Sequence, residues 1–321
     1  MTSWQPNVNI EILKLRAALL NTARDFFQTH NFIEVDTPSL SQSTTPDPNI
    51  ESFSTQFNNT RYYLHTSPEF PMKRLLAAGS GAIYQICKVF RQGEAGRNHN
   101  PEFTMIEWYQ PEMHYRDLML QVDTLVRCLL QDKLELTETI SFSYKEVFEK
   151  FVSINPLLAN VEELLAVIDA NNVQLYDSSI KLSKDALLDL ILTHVIQPRL
   201  PKSAPVFIYD YPASQAALAN LRKGKIDIAE RFELYVNGIE LANGYQELLN
   251  AGEQQQRFEK ENRARELTGL KTIPIDAHLI QALEKGIPMV SGVALGMDRV
   301  LMLAAGVDSI SEVIAFTIDK A

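Results

Sequence analysis

Between Val236 and Ile239 the chain carries Asn237-Gly238, flanked by two alternating runs, Glu230 to Val236 and Ile239 to Tyr245. Asparagine and glycine both tolerate the positive φ that a type I′ turn demands, so the dipeptide predicts a two-residue β-hairpin. Antiparallel sheet is therefore part of whatever this chain builds. The turn pairs Val236 with Ile239, and so Tyr235 with Glu240 and Glu233 with Ala242, which makes Glu233 and Glu240 diagonal neighbours on one face. Two carboxylates that close repel unless a cation lies between them, and Mg²⁺ takes such oxygens together with phosphates. The other reading is a pair of exposed edge glutamates with basic partners such as Arg231. Strict alternation sets Asn243 and Glu247 on the face opposite Glu240, and a bulge near Asn243-Gly244 would repair this, since an isolated glycine in a strand often marks one.

Upstream, Leu13, Ala17, Leu20, Ala23 and Phe27 recur at three- and four-residue steps and predict a helix from Ile10 to about His30. A strand follows at Phe32 to Val35, then a Ser/Thr/Pro/Asp-rich stretch from Ser39 to Asn49 that reads as a mobile surface loop. Further strands are expected near Tyr62 to Leu64, Ile83 to Arg91 and Glu102 to Gln110, with a helix at about Pro68 to Ala78. Residues 114–200 read as mostly helical, and strands return beyond Pro205. Helices at 251–267 and 275–285, a strand at Met289 to Leu295 and a last helix from Gly296 complete the pattern. The chain is thus expected to be one α+β domain over residues 1–321, an antiparallel β-sheet flanked by helices, with a helical insertion at about 114–200.

The formal charge of -10 offers no general attraction to phosphate backbones. Cys87 and Cys128 stand far apart without metal or redox spacing and read as core residues in a reducing compartment. The N-terminus lacks the features of a signal peptide, and no apolar run approaches the ~18 residues of a membrane span, so a cytoplasmic location is expected. Neither G-x-x-x-x-G-K-[ST] nor G-x-G-x-x-G after a strand is present.

In Phe103 to Tyr109 a period of two puts Phe103, Met105, Glu107 and Tyr109 on one face and Thr104, Ile106 and Trp108 on the other. Glu107 is either an acid set among aromatics or a surface residue facing solvent or a lysine. Arg91, Arg97 and His99 cluster in the preceding loop. They suit phosphate contact, or they are simply solvated.

Three runs, taken together, resemble class II aminoacyl-tRNA synthetases: FFQTHNFIEVDTPSL resembles motif 1, VFRQGEAGRNHNPEFTMIEWY motif 2, and SGVALGMDRVLML motif 3. Within that class, TSPEFPMKRLL, RNHNPEFTMIEWY, NGIELANGYQEL and SGVALGMDR are similar to lysyl-tRNA synthetases. The resemblance implies a class II catalytic domain that forms an aminoacyl-adenylate from ATP. It implies Arg91 and Arg299 as phosphate clamps and catalytic residues; Glu94, His99, Asn100, Phe103 and Glu240 as further ATP contacts; and Glu233 and Glu240 as Mg²⁺ ligands. For the amino acid it implies Glu69 at the amino end, Asn243 at the carboxylate, Glu107, Tyr109 and Glu247 around a side-chain ammonium, and Ser67 and Ala294 as further substrate contacts.

Lysyl-tRNA synthetases carry an oligonucleotide-binding barrel before motif 1, whereas here the motif 1 helix begins almost at Met1. In this the chain resembles the truncated paralogue family that joins (R)-β-lysine to a lysine of elongation factor P, which implies a homodimer with no anticodon recognition and no membrane association. Ala294 replaces the glycine usual in motif 3, where a methyl-sized change is worth ~1 to 3 kcal/mol. The acid expected two residues after Arg91 is Gly93, with Glu94 one place later. Activation of α-lysine or another amino acid for a different acceptor, and a non-catalytic regulatory role, are the alternatives.

Overall fold

A computed structural model describes residues 4–174 and 182–321. The described residues divide into two compact units, Met1–Leu134 with Glu247–Ala321, and Glu135–Gln246. The first unit opens with α1 (Ile10–Thr29), β1 (Ile33–Glu34), β2 (Leu40–Ser41), β3 (Ser54–Phe57), β4 (Thr60–Leu64), α2 (Glu69–Ala77), β5 (Ile83–Phe90), β6 (Glu102–Pro111) and α3 (Tyr115–Leu130). The second holds β7 (Ile140–Ser143), α4 (Tyr144–Val152), α5 (Val161–Ala170), α6 (Lys184–Ile191), β8 (Val206–Pro212), β9 (Leu221–Arg222), β10 (Ile228–Val236) and β11 (Ile239–Gln246). The chain then returns to the first unit with α7 (Ala251–Leu267), α8 (Ala277–Lys285), β12 (Val290–Gly296) and α9 (Met297–Ala305).

In the first unit β6 runs antiparallel to both β5 and β12, and β1 adds to β5 in parallel. The face of β6 carrying Ile106 and Trp108 is buried beside an aromatic cluster in which Phe27 of α1 stacks on Tyr84 at 4.2 Å and meets Trp108 edge-on at 5.3 Å. The Trp108 indole N–H donates to Gln121 of α3 at 2.8 Å, so the ring is buried without an orphaned donor. Asn9 caps α1 by accepting from the Ile12 N–H, and the helix ends where Asn31 takes a φ of 59°.

The stretch from Ser39 to Asn49 departs from the expected surface loop. It includes β2, which pairs with β4 in a small sheet, and it buries Ser43 and Thr44. Ser43 donates to the Pro274 carbonyl at 2.6 Å, and buried Arg265 of α7 donates to the carbonyls of Asp47 and Lys271 and to Glu51. A polar loop is held down because tertiary donors and acceptors satisfy its backbone. Cys128 likewise departs from the expected core position, since it lies on the exposed side of α3, while Cys87 is half-buried.

In the second unit β10 runs antiparallel to β11, β8 and the short β9, and β7 joins β8 in parallel. The expected helical stretch at 114–200 is therefore interrupted by a strand, and its helix α3 belongs to the other unit. Residues of α4, α5 and α6 pack with β8 and β10 into one apolar core that includes Phe148, Ile168, Leu188, Ile191 and Ile208. Capping boxes at Ser143/Glu146 and Asn160/Glu163 fix the starts of α4 and α5.

Arg265→Met keeps the apolar stem and leaves the Asp47 and Lys271 carbonyls without their donor. It should cost about 2 to 4 kcal/mol, measured by denaturant unfolding.

Candidate active site

The carboxylate expected among aromatics on β6 is buried, not solvent-facing: Glu107 is only 3% exposed. Its Oε1 accepts from the Tyr109 hydroxyl at 2.6 Å and its Oε2 from the Ser67 hydroxyl at 2.7 Å. Ser67 also accepts the Glu69 N–H at 3.0 Å at the start of α2, which ties the helix to the strand. One turn into α2, Lys73 is 1% exposed and places its Nζ 2.5 Å from Glu69 Oε1 and 2.6 Å from Glu247 Oε2. Glu247 is fixed in turn by its N–H donating to the Val290 carbonyl of β12. Two carboxylates, from α2 and from the entry to α7, thus meet on the Lys73 ammonium, with Glu107 of β6 close enough to feel its charge.

Burial dominates the titration of Glu107 and Glu247. Desolvation and the neighbouring Glu69 raise Glu107 to about 7, against the pull of Tyr109, Ser67 and Lys73. Desolvation raises Glu247 to about 8 although Lys73 opposes it. Lys73 itself stays firmly protonated, because attraction to Glu247 and Glu69 outweighs its own desolvation. The cluster therefore retains a proton near neutrality, and a second ammonium arriving from outside would displace it.

Motif 3 supplies the wall. On β12, Gly292 lies opposite Tyr109 and Ala294 opposite Glu107, so the Ala294 methyl shares the face of the buried acid. A Cβ at Gly292 would lie 2.5 Å from Glu247 Oε1 and press into the Tyr109 ring, which is why only glycine fits there.

The phosphate-binding candidates sit at the other end of the β5/β6 pair. The Arg91 guanidinium lies over the Phe103 ring, 5.2 Å from its centroid, and 3.5 Å from Glu94 Oε1. Gly93 takes a φ of +87° beside it, a conformation in which an acid at that position would be strained. Arg299 Nη2 stands 2.8 Å from His99 Nε2. His99 is held below its usual range by burial and by the Arg299 and Arg91 charges, so it is a neutral acceptor and not a third cation. Arg97 turns away onto Asp308 at 3.0 Å. Asn100 spends its side chain inside the fold, donating to the Glu102 carbonyl and accepting from the Ile318 N–H. Buried Asp298 pairs with Arg16 of α1 and accepts the Thr104 N–H at 2.6 Å, which pins the first turn of α9 beneath Arg299.

In the second unit the hairpin turns at Asn237-Gly238 as expected, with Val236 opposite Ile239 and Tyr235 opposite Glu240. Beyond that the register shifts, leaving Leu241 as a bulge, so Glu233 lies opposite Asn243 and not opposite Ala242. The bulge falls two residues before the expected place and puts Glu233, Glu240 and Asn243 on one face. Glu233 is buried and accepts from Arg231 at 2.5 Å, from the Tyr211 hydroxyl at 2.6 Å and from the Tyr235 hydroxyl at 2.5 Å. Those donors fill three of roughly four acceptor positions on a carboxylate. Among the described residues no group of three or more His, Cys, Asp or Glu side chains is placed to hold a metal ion by itself. Asn243 accepts from Arg231 and donates to the Tyr245 hydroxyl.

Sequence reasoning missed Lys73, Arg16 and Asp298. Only Lys73 left a trace, the helical i, i+4 spacing from Glu69, a spacing shared by many surface pairs.

A family model described as tRNA synthetases class II (D, K and N) matches residues 3–320. The chain belongs to that class II family. Among curated relatives of this class II chain, the elongation factor P (R)-β-lysine ligase of Edwardsiella ictaluri is 47% identical, covering 100% of this chain and 99% of the relative. Proteins of the same name from Photobacterium profundum and Salmonella gallinarum are 48% and 46% identical, each over 99% of this chain and over 99% and 98% of the relative. Class II synthetase ligases use ATP. Among the described residues no helix is long and apolar enough to cross a membrane.

Gly292→Ala should destabilise the fold by about 1 to 3 kcal/mol in denaturant unfolding, the usual cost of overpacking. The pH dependence of stability has a defined sign. Glu107 and Glu247 are raised from 4.5, so the native state keeps protons that the unfolded chain has released; stability present below 4.5 is lost as pH rises towards 7 and 8. Thermal unfolding between pH 5 and 8 should show this decline, and Glu247→Gln should flatten it.

Proposed function

We propose that this chain activates (R)-β-lysine with ATP and transfers it to a lysine side chain of elongation factor P. The observation that carries the reading is the acidic pocket of half-buried Glu69 and buried Glu107 and Glu247, which is short of positive charge and lined by Ala294. A lysine-like diamino acid brings the ammonium groups such a pocket needs, and the names of the full-length relatives point to the same substrate and acceptor. Glu69 and Ser67 take the amino end, and Glu107, Tyr109 and Glu247 the distal ammonium, while Asn243 takes the carboxylate.

In the first step a carboxylate oxygen of the amino acid forms a bond to the α-phosphorus of ATP, the bond to the bridging oxygen breaks, and pyrophosphate leaves. Arg91 and Arg299 neutralise charge spreading over the phosphates, while Phe103 offers a stacking surface for adenine and Glu94 and His99 border it. Mg²⁺, carried in with ATP and held through Glu240 and the remaining oxygen position of Glu233, would add Lewis-acid stabilisation. In the second step the neutral acceptor amine attacks the acyl carbon, the bond from that carbon to the phosphate oxygen breaks so that AMP departs, and the nitrogen loses a proton to solvent as the amide forms. Little covalent work falls to the protein, so positioning and electrostatics supply the rate. The same proposal includes action in the cytoplasm and pairing of two copies through motif 1, where the apolar Ile33 and Leu40 are 54% and 46% exposed.

ATP–pyrophosphate exchange with (R)-β-lysine, α-lysine, aspartate or no amino acid tests the activation step, and the mass gain of elongation factor P tests transfer. Exchange is expected to be fastest with (R)-β-lysine; preference for another acid, or none at all, would overturn the reading. Arg91→Ala should lower the exchange rate about 10²- to 10³-fold. Ala294→Gly should shift the ratio of β- to α-lysine activity by no more than the ~10- to 200-fold that one methyl group is worth.

A further inference from the structure

We infer that Lys73 is a specificity-determining positioning residue, whose fixed ammonium balances one of three clustered carboxylates, two of them buried, and leaves the pocket short of two positive charges. This deepens the proposed function and rests on its assignment of the pocket to the amino acid. With all three carboxylates ionised, Glu69, Glu107 and Glu247 carry three negative charges, and among the described residues Lys73 is the cation paired with two of them, Glu69 and Glu247. Its Nζ touches two of the acids directly, whereas Glu107 is held by the neutral hydroxyls of Ser67 and Tyr109. The division of labour is geometric. Lys73 clamps Glu69 of α2 to Glu247 at the entry to α7, and the two hydroxyls fix Glu107 without spending a charge on it.

Two missing positive charges match the two ammonium groups of a diamino acid and not the single one of an ordinary amino acid. An uncharged side chain in the same space would leave at least one carboxylate uncompensated in a buried site, which is expensive. Among the described residues, the only cation contributing to the charge balance of Glu107 and Glu247 is Lys73. On β6 the nearby groups are Glu107 and Tyr109, and on β5 Cys87 is pushed up to about 12 by burial and by Glu107. α7 contributes Glu261, raised to about 7 by burial and by Asp47, with Arg257 and Lys260 pulling it down and Glu69 pushing it up. α8, packed along α2, buries Leu279, Ile280 and Leu283.

The test uses the full chain in amino-acid-dependent ATP–pyrophosphate exchange across pH 6 to 9. Lys73→Met, which keeps the length and removes the charge, should raise KM for the diamino acid at least about tenfold with kcat changed less than about threefold, a loss of binding more than of chemistry. It should also move the acidic limb of kcat/KM up by about one pH unit, because the carboxylates then hold their protons more tightly. Lys73→Arg, which keeps the charge, should leave the limb at the wild-type pH even if KM rises. An unmoved limb in Lys73→Met, or equal losses in both variants, would overturn the inference.

Should Lys73→Met fail to fold, the paired variant Lys73→Met/Glu69→Gln removes one charge of each sign. A limb at the wild-type pH then supports the inference and an alkaline limb overturns it. Absence of exchange by the wild-type protein with every diamino acid would instead remove the functional reading. In that event the pH dependence of the thermal upshift given by 1,5-diaminopentane, compared between wild type and Lys73→Arg or Lys73→Met, still decides the role of Lys73.

Discussion

Lys73 and the three glutamates around it are the constraint on which the first unit turns. Two buried carboxylates beside a half-buried third are tolerable only if cations and hydroxyls compensate them, and here one lysine and two hydroxyls do so incompletely. The shortfall raises Glu107 and Glu247 well above the usual carboxylate range. A pocket that holds a proton for want of a cation is already prepared for an ammonium, so the same desolvation that costs stability supplies selectivity.

The sheet gives this cluster its rigidity. One face of β6 presents Trp108 and Ile106 to the aromatic and aliphatic core, and the other presents Glu107 and Tyr109 to the pocket. Slipping the strand by one residue would bury the wrong set on both sides, so the core packing and the site specify the same register. β12 completes it with Gly292 and Ala294, where the space available is set to within a methyl group.

The arginines are poised by neighbours of another kind. Arg91 rests over Phe103 within reach of Glu94, and Arg299 rides on a helix whose first turn is locked to α1 and β6 through Asp298. Holding guanidinium groups before the substrate arrives reduces the reorganisation needed when phosphate charge develops. Neutral His99 fits this arrangement, because a third full charge beside Arg299 would be repelled.

From the residues alone, the hairpin at Asn237-Gly238, the two faces of β6 and most helix limits were legible, because turn chemistry and periodicity act locally. Class II membership was legible too, through three motifs in order, and the family match agrees. The place of the bulge was not: a glycine signalled irregularity near Asn243, but Leu241 is the residue left without a partner. The burial of Glu107, the pinning of the loop at Ser43 and Thr44 and the role of Lys73 were equally beyond local reading. Each depends on groups brought from distant parts of the chain, Ser67 and Glu247 to Glu107 and Lys73, Pro274 to Ser43, Arg16 to Asp298. Sequence determined most of the elements and the two faces of β6; tertiary structure decided where the hairpin bulges and which charges meet away from water, and the cost of desolvation is what turns those meetings into a site.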